Sequence, residues 1–152
     1  MKIEDIKNSD IGNWLELAQE IEPLFGPMVG EAGFHEAIKT VLGKDRAFCL
    51  RDDRDKLCGI IVISYEKNEI EWFAVANSDR RKGYGEKLLN HAINKLNPQK
   101  RISVQTFDKT VLAGLSARKL YIKCGFQEVE QAGLNPAGIP TVILKRSAGL
   151  VK

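Results

Sequence analysis

The 152-residue sequence lacks the patterns that hold structural or catalytic metals. It has two histidines, His35 and His91, and its three cysteines (Cys49, Cys58 and Cys124) are widely spaced. Neither a CxxC pair nor an HExxH pattern occurs, and zinc sites depend on closely spaced ligands of this kind. We therefore predict that the protein holds no metal. Unpaired cysteines suit a reducing compartment, so we expect a cytoplasmic protein.

Long apolar runs and low-complexity segments are also missing. The longest apolar stretch, Cys58–Ile63, is far too short to span a bilayer, which takes about 20 residues. The opening segment, MKIEDIKNSD, is charged and lacks the apolar core of a signal peptide, so we expect neither secretion nor a membrane partner. No internal repeat is visible. The formal net charge of +3 is small, and a nucleic-acid partner is not expected.

What the chain does have is the composition and length of one globular domain. Hydrophobic residues make up 43% and charged residues 28% of the sequence, close to the averages for folded domains. A chain of this length can bury one sizeable core, so we expect a single domain over residues 1–152. One basic cluster, Arg80–Lys82, stands out, and its role depends on the elements around it.

Hydrophobic periodicity changes along the chain and predicts the order of helices and strands. Alternating or fully apolar runs predict strands at residues 1–6, 47–50, 58–64, 69–76, 102–107, 126–129 and 141–145. Helical spacing predicts helices at about residues 11–25, 31–42, 83–96 and 116–123. Consecutive hairpins imply antiparallel pairing, whereas the strand–helix–strand unit from Glu69 to Phe107 implies one parallel crossover. The expected fold is α+β, a mixed, mostly antiparallel sheet of about six to seven strands flanked by about four helices.

The turn between the strand ending at Ala76 and the helix beginning at Gly83 predicts an anion site. Its sequence, Asp79-Arg-Arg-Lys-Gly-Tyr-Gly85, places glycines and cations at a helix N-terminus. Free N–H groups and the helix dipole favour a negative ligand there, and glycine lets the backbone approach it. A pyrophosphate fits these features. The P-loop pattern GxxxxGK[ST] is absent, and the dinucleotide pattern GxGxxG fails because Leu88 holds its third glycine position.

The remaining pattern, [Arg/Gln]-x-x-Gly-x-[Gly/Ala], is met by Arg80, Gly83 and Gly85, and here the chain resembles the GNAT superfamily of acyl-CoA N-acyltransferases. In that family the loop follows a strand that ends in small apolar residues, and Phe73-Ala74-Val75 holds this place. A later A-x-x-x-Y-x-x-x-G-F signature is matched at every position by Ala117, Tyr121, Gly125 and Phe126. The resemblance implies an acetyl-CoA-dependent N-acetyltransferase in which the acceptor amine attacks the thioester directly.

The resemblance also implies which residues contact the cofactor, acetyl-CoA. They come from the strand end, the basic turn, the helix start and the signature helix. These residues are Phe73, Ala74, Val75, Arg80, Arg81, Lys82, Gly83, Tyr84, Gly85, Glu86, Gly114, Ala117 and Lys123. Gly114 stands where the family often has a cofactor-binding asparagine, so one hydrogen bond is in question. Lys123 either reaches a phosphate or serves as a cation at the helix end.

Amine acetylation sets the chemistry that the site must perform. An alkylammonium with a pKa near 10.4 must lose a proton, the oxyanion needs a hydrogen-bond donor, and the thiolate must leave. The resemblance implies Glu69 as the base, a backbone N–H near Val75 as the oxyanion donor and Tyr121 as the acid. Glu71 or a water relay is the alternative base. Glu69 can instead be a solvated strand-end carboxylate, and Tyr121 a packed aromatic.

Two other function classes stay open. The first is a catalytically idle module that binds or senses acyl-CoA on the same fold, and turnover of any amine would exclude it. The second is a nucleic-acid-binding protein that uses its basic loop and binds with a steep salt dependence. Glu20 and Glu22, on the first predicted helix, are candidates to attract a cationic acceptor. The sequence does not identify the acceptor amine, and it leaves a homodimer open.

Overall fold

The computed structural model describes residues 1–150, which form a mixed sheet with helices on both faces. The strands are β1 (Lys2–Asp5), β2 (Ala47–Arg51), β3 (Leu57–Ser64), β4 (Glu69–Val75), β5 (Ile102–Phe107), β6 (Phe126–Leu134) and β7 (Pro140–Arg146). The α-helices are α1 (Ile11–Phe25), α2 (Ala32–Val41), α3 (Tyr84–Lys95) and α4 (Leu115–Lys123). Short 3-10 turns occupy Asn8–Asp10, Asn77–Asp79 and Leu112–Gly114. The predicted mixed α+β fold is confirmed.

The strands lie in the order β1-β2-β3-β4-β5-β7-β6. Neighbouring strands are antiparallel except β4 and β5, which α3 connects as a parallel pair. Their ladder is two residue pairs long, with Glu69 opposite Ser103 and Ile70 opposite Val104. Beyond these pairs the two strands are no longer joined. We call the resulting gap in the sheet, between residues 71–75 and residues 105–107, the wedge.

Apolar side chains form one core on each face of the sheet. The larger core lies beneath α3 and α4 and takes buried residues from every strand from β2 to β7. The smaller core lies beneath α1 and α2, and among residues 1–150 it includes no side chain beyond Ala76. Every residue of β3 is buried because helices cover both of its faces. The α1–α2 face is therefore covered over only one half of the sheet.

A β-bulge in β4 changes the direction of the side chains that follow it. Ile63 of β3 faces Ile70, but the preceding Val62 faces Trp72, so Glu71 is an extra residue in β4. Such a bulge bends its strand and shifts the alternation of side chains. The side chains after the bulge that pack beneath α3 and α4 are Phe73 and Val75.

The first helix was predicted with the correct bounds, whereas the sixth strand was predicted too short. α1 spans the expected residues 11–25, contains Pro23 and is followed by Gly26, whose φ of 105° suits only glycine. The strand predicted over residues 126–129 continues to Leu134. Two bulges in β6 keep it paired with β7 although its second half contains a glycine.

Three further properties bear on the class of protein. Within residues 1–150, no helix has the length and apolarity needed to cross a membrane. In that same part of the chain, no three His, Cys, Asp or Glu side chains are grouped closely enough to hold a metal ion. Cys49 and Cys58 are buried, and burial raises the pKa of each thiol to about 11. These two thiols therefore remain protonated and act as small core side chains.

Candidate active site

The predicted anion site lies where β4 leads into α3. Two residues of the connecting turn adopt the left-handed conformation, Arg81 with a φ of 66° and Gly83 with a φ of 81°. Backbone N–H groups in such a turn can converge on one anion. Gly83 is the N-cap of α3, and no side chain caps this helix, so its first N–H groups can serve a ligand. A left-handed arginine is uncommon, and backbone strain of this kind is concentrated at functional turns.

The basic side chains around this turn are held by different partners. Arg80 Nε donates to the carbonyl oxygen of Val75 at 3.3 Å. Lys82 Nζ lies 3.5 Å from one carboxylate oxygen of Asp79, and Lys56 Nζ lies 3.2 Å from the other. Burial opposes ionisation of Asp79, but hydrogen bonds led by that from Lys56 outweigh it and lower its pKa. Asp79 is 3% exposed, and its buried carboxylate holds the turn through its contacts with the two lysines.

The two glycines of the motif have different structural roles. A Cβ atom at Gly85 would lie 3.3 Å from Leu120 Cδ2 and 3.6 Å from the ring of Phe73, so this glycine lets α3 pack closely on its neighbours. A Cβ atom at Gly83 would have no heavy atom within 4 Å. Gly83 is therefore required by backbone conformation and by access to the N–H groups, not by packing.

β4 offers backbone hydrogen-bonding groups to the wedge. The N–H group of Ala76 donates to the carbonyl oxygen of Cys58 in β3. Backbone groups alternate in direction along an antiparallel pair, so the N–H groups of Phe73 and Val75 point toward the wedge. A donor fixed in this way can stabilise an oxyanion. The predicted donor near Val75 thus has the required direction, and its role stays a prediction.

Tyr121 lies on the α3–α4 side of the wedge. It is 4% exposed, and its ring packs edge-on against Phe73 and Phe126, with centroids 6.2 Å and 5.6 Å away. Burial raises the pKa of Tyr121 well above its usual value, with no charge or hydrogen bond contributing to the change. The hydroxyl therefore stays protonated and remains a hydrogen-bond donor.

The candidate bases lie on the other side of the sheet. Glu69 and Glu71 line one shallow cleft together with Ser103 and Gln105. The Ser103 hydroxyl donates to Glu69 Oε2 at 3.3 Å. Both chain neighbours of Ser103 pack beneath α3 and α4, so this pair faces the α1–α2 side. Tyr121 and Glu69 are thus on opposite faces of the sheet, and Glu69 lies in the two-pair ladder at the closed end of the wedge.

Several predicted cofactor contacts also have structural roles. Gly114 is the N-cap of α4, and a Cβ atom there would lie 2.7 Å from Phe107 Cβ. An asparagine at this position would therefore require Phe107 to move. Lys123 Nζ donates to Glu86 at 2.9 Å and links α4 to the first turn of α3. Two further residues predicted to contact the cofactor are half-buried against the larger core, Tyr84 and Ala117.

The carboxylates proposed to attract the acceptor are both engaged in backbone hydrogen bonds. Glu22 accepts from the N–H groups of Met28 and Val29 at 2.7 Å and 2.8 Å and so holds the segment after α1. Glu20 accepts from the N–H group of Asn77 at 2.9 Å. These bonds connect α1 with the loops on either side of the candidate site.

Two residues that shape the site had no signal in the sequence. An acidic residue within a basic turn, such as Asp79, resembles an ordinary solvated charge, and its partner Lys56 is 23 positions away. Phe107 ends a predicted strand, and no local pattern shows that it covers Gly114. Both assignments depend on contacts between distant parts of the chain.

Comparison with known proteins agrees with this geometry. A family model described as an acetyltransferase (GNAT) domain matches residues 44–128. A ribosomal-protein-alanine N-acetyltransferase from Brucella melitensis has a TM-score of 0.76 at 13% identity, covering 97% of this chain and 99% of that one. A phosphinothricin acetyltransferase from Sinorhizobium meliloti, solved with AcCoA, has a TM-score of 0.73 at 18% identity and coverages of 97% and 88%.

A third solved structure is spermidine N-acetyltransferase from Vibrio cholerae in complex with CoA and spermine. Its TM-score is 0.70 at 18% identity, and the match covers 97% of this chain and 95% of that one. No curated protein matches the sequence significantly. The solved structures therefore support the fold, and the matched domain supports the family.

Proposed function

This chain belongs to the GNAT family of acetyltransferases, and from that premise we propose that it transfers the acetyl group of acetyl-CoA to the nitrogen of an amine. The observation that carries the proposal is the wedge between β4 and β5. An anion-binding turn adjoins the C-terminal end of β4, and candidate acid and base groups lie on its two faces. This arrangement suits a reaction in which the amine enters from one face and the thiolate leaves toward the other.

The turn before α3 is the proposed site of the pyrophosphate. Its residues fit that group because Arg81 and Gly83 hold the backbone in the left-handed conformation and α3 lacks a side-chain cap. Positive charge from the basic turn adds to the helix dipole. The N–H groups of Phe73 and Val75 would then serve the acyl end of the same ligand.

Each proposed catalytic group performs one part of the transfer. Glu69, or Glu71 in the alternative assignment, takes a proton from the ammonium group, and the amine nitrogen then forms a bond to the carbonyl carbon. The Val75 N–H group donates to the oxyanion, which can be worth about 3 kcal/mol. The nitrogen releases its second proton to solvent, the carbon–sulfur bond breaks, and the Tyr121 hydroxyl donates a hydrogen bond to the departing sulfur.

The environment of Tyr121 favours hydrogen-bond donation over complete proton transfer. An ordinary tyrosine with a pKa near 10 already transfers a proton uphill, by about 2 kcal/mol, to a thiolate whose conjugate acid has a pKa near 8.5. Burial raises the pKa of Tyr121 further. The proposed role is therefore a strong hydrogen bond to the leaving sulfur, with the final proton supplied by solvent.

A thiol-release assay with acetyl-CoA and a broad panel of amines tests the proposal. The panel includes polyamines, amino acids, aminoglycosides and peptides with free N-termini, and mass spectrometry identifies the acetylated product. Calorimetry and thermal unfolding measure acetyl-CoA binding separately, and a ligand of the folded state should raise the Tm. No binding and no Tm shift at saturating acetyl-CoA would remove the central claim. Binding without turnover of any amine would support the idle acyl-CoA-binding module instead.

A further inference from the structure

The two halves of the sheet are joined differently on its two faces. On the α3–α4 side, one core extends across both halves. On the α1–α2 side, the core of the described chain includes no residue beyond Ala76. The backbone ladder between the halves is two residue pairs long. The width of the wedge on the α1–α2 side therefore depends on contacts outside that core.

Such contacts occur where the end of α1 meets the turn between β6 and β7. The side-chain amide of Asn135 donates from Nδ2 to the carbonyl oxygen of Leu24 at 2.8 Å. Next to this bond, Gly26 approaches Pro136 so closely that a Cβ atom on Gly26 would lie 2.7 Å from Pro136 Cβ. The first half of the sheet, through α1, is thus fastened to the second half, through the β6–β7 turn.

Aromatic packing continues the same connection toward the wedge. The rings of Phe25 and Phe107 lie 5.0 Å apart between centroids. Phe107 ends β5, the strand that borders the wedge, and it also covers Gly114 at the start of α4. We call these contacts, made by residues 24–26, Phe107 and residues 135–136, the clasp.

The segments on both sides of this hydrogen bond are held by further hydrogen bonds of their own. Asn135 Oδ1 accepts from the N–H groups of Ala137 and Ile139 at 2.9 Å and 3.1 Å, so the same side chain organises its own turn. On the other side, Glu22 fixes the segment after α1 through its bonds to residues 28 and 29. A connection between two preorganised turns can hold a distance that flexible loops cannot.

We propose that Asn135 is a positioning residue, which through the clasp sets the width of the wedge on the α1–α2 side, the side of the candidate base Glu69. The inference rests on the proposed N-acetyltransferase function, and Asn135 itself touches no reacting atom. A displacement of about 1 Å in the reacting groups can cost up to about 10²-fold in rate. A loosened clasp therefore lowers kcat, whereas acetyl-CoA affinity depends mainly on the turn before α3, in the other half of the sheet.

The variant Asn135→Asp separates the two roles of this side chain, which are to accept hydrogen bonds within its own turn and to donate one to Leu24. Aspartate keeps an oxygen that can accept from Ala137 and Ile139, but it cannot donate to the Leu24 carbonyl oxygen. Gln127→Glu is the matched control, because it makes the same change of charge at an exposed position on the same hairpin. We expect Asn135→Asp to lower kcat about tenfold and to change the acetyl-CoA Kd by less than about twofold. The control should leave both values unchanged.

Hydrogen exchange in the free protein tests the clasp without an acceptor. Asn135→Asp should speed exchange in residues 20–30 and in residues 104–111, neither of which it alters, and should leave α3 unchanged. Faster exchange confined to residues 133–139, or a wild-type kcat with a lower Tm alone, would overturn the proposal. A wild-type protein that acetylates no amine defeats the proposed function, and the exchange pattern then still decides whether the clasp joins the two halves.

Discussion

Replacing Gly83 by aspartate tests the assignment of the phosphate site, and replacing it by asparagine supplies an uncharged match. Both residues tolerate a φ near the 81° of Gly83 better than other L residues do. No heavy atom lies within 4 Å of the Cβ position, so neither substitution meets a clash in the unliganded protein. The two side chains have nearly the same size. A difference between the variants in acetyl-CoA affinity therefore reports the added charge.

The expected difference follows from Coulomb's law. At a separation of about 6 Å and an effective dielectric constant of about 20 to 40, repulsion between the aspartate carboxylate and one phosphate charge weakens acetyl-CoA binding by about 1 to 3 kcal/mol. That range corresponds to about 5-fold to 150-fold in Kd. We expect Gly83→Asp to bind acetyl-CoA at least about tenfold more weakly than Gly83→Asn. Raising the salt concentration to about 1 M should narrow the difference, because the screening length falls to about 3 Å.

Calorimetric titration of each variant with acetyl-CoA measures this difference, and circular dichroism with thermal unfolding checks that both variants are folded. Equal loss of affinity in the two variants would mean that side-chain bulk, not charge, disturbs the ligand. Wild-type affinity in both would refute the reasoning, because the phosphates would then lie away from Gly83.

The remaining predictions concern Tyr121 and Gly114. Tyr121→Phe should lower kcat about 10²-fold in the thiol-release assay and leave the acetyl-CoA Kd nearly unchanged, because it removes only the hydroxyl; a wild-type kcat would make Tyr121 a purely structural residue. The raised pKa of Tyr121 means that the native state keeps this proton where the unfolded chain loses it, so the free energy of unfolding should fall as the pH rises above about 10. At about pH 11, where a free tyrosine is mostly ionised, the ultraviolet difference between wild type and Tyr121→Phe should show no tyrosinate while the protein is folded, and a full tyrosinate signal would contradict the buried assignment. Gly114→Ala should lower the free energy of unfolding by about 1 to 3 kcal/mol, because its Cβ would lie 2.7 Å from Phe107 Cβ; an unchanged thermal transition would show that Phe107 moves aside at no cost.

Local patterns were sufficient to predict most elements of this fold. The strand expected over residues 58–64 could be recognised because burial on both faces requires a continuous apolar run. In the structure it is β3, which begins one residue earlier. The helix expected over residues 83–96 agrees with α3 to within one residue at each end. The basic turn could be placed between β4 and α3 because a helix start and a strand end both have recognisable signals. The position of the predicted anion site thus follows from neighbours in sequence.

Features that depend on distant contacts could not be predicted. The bulge at Glu71 leaves no compositional mark, although it decides which residues of β4 face each core. The hydrogen bond from Asn135 to Leu24 joins residues 111 positions apart. A pattern read along the chain contains no information on which turn meets which helix end. The α1–α2 side of the wedge, where such contacts dominate, was accordingly the part least defined by the sequence.

The irregular shape of β6 has a consequence for how copies of this protein can associate. β6 is the outermost strand of its half of the sheet, and it exposes Val129 and Leu134, features that invite strand addition by another chain. Its bulges, between Glu128 and Glu130 and between Gln131 and Gly133, interrupt the regular spacing that an added strand would need. Continuation of the sheet from one molecule into the next is thereby limited to a few residues. A homodimer formed at this edge would have to rely on side-chain packing more than on backbone pairing, and molecules in concentrated solution should resist aggregation through this edge despite its apolar residues.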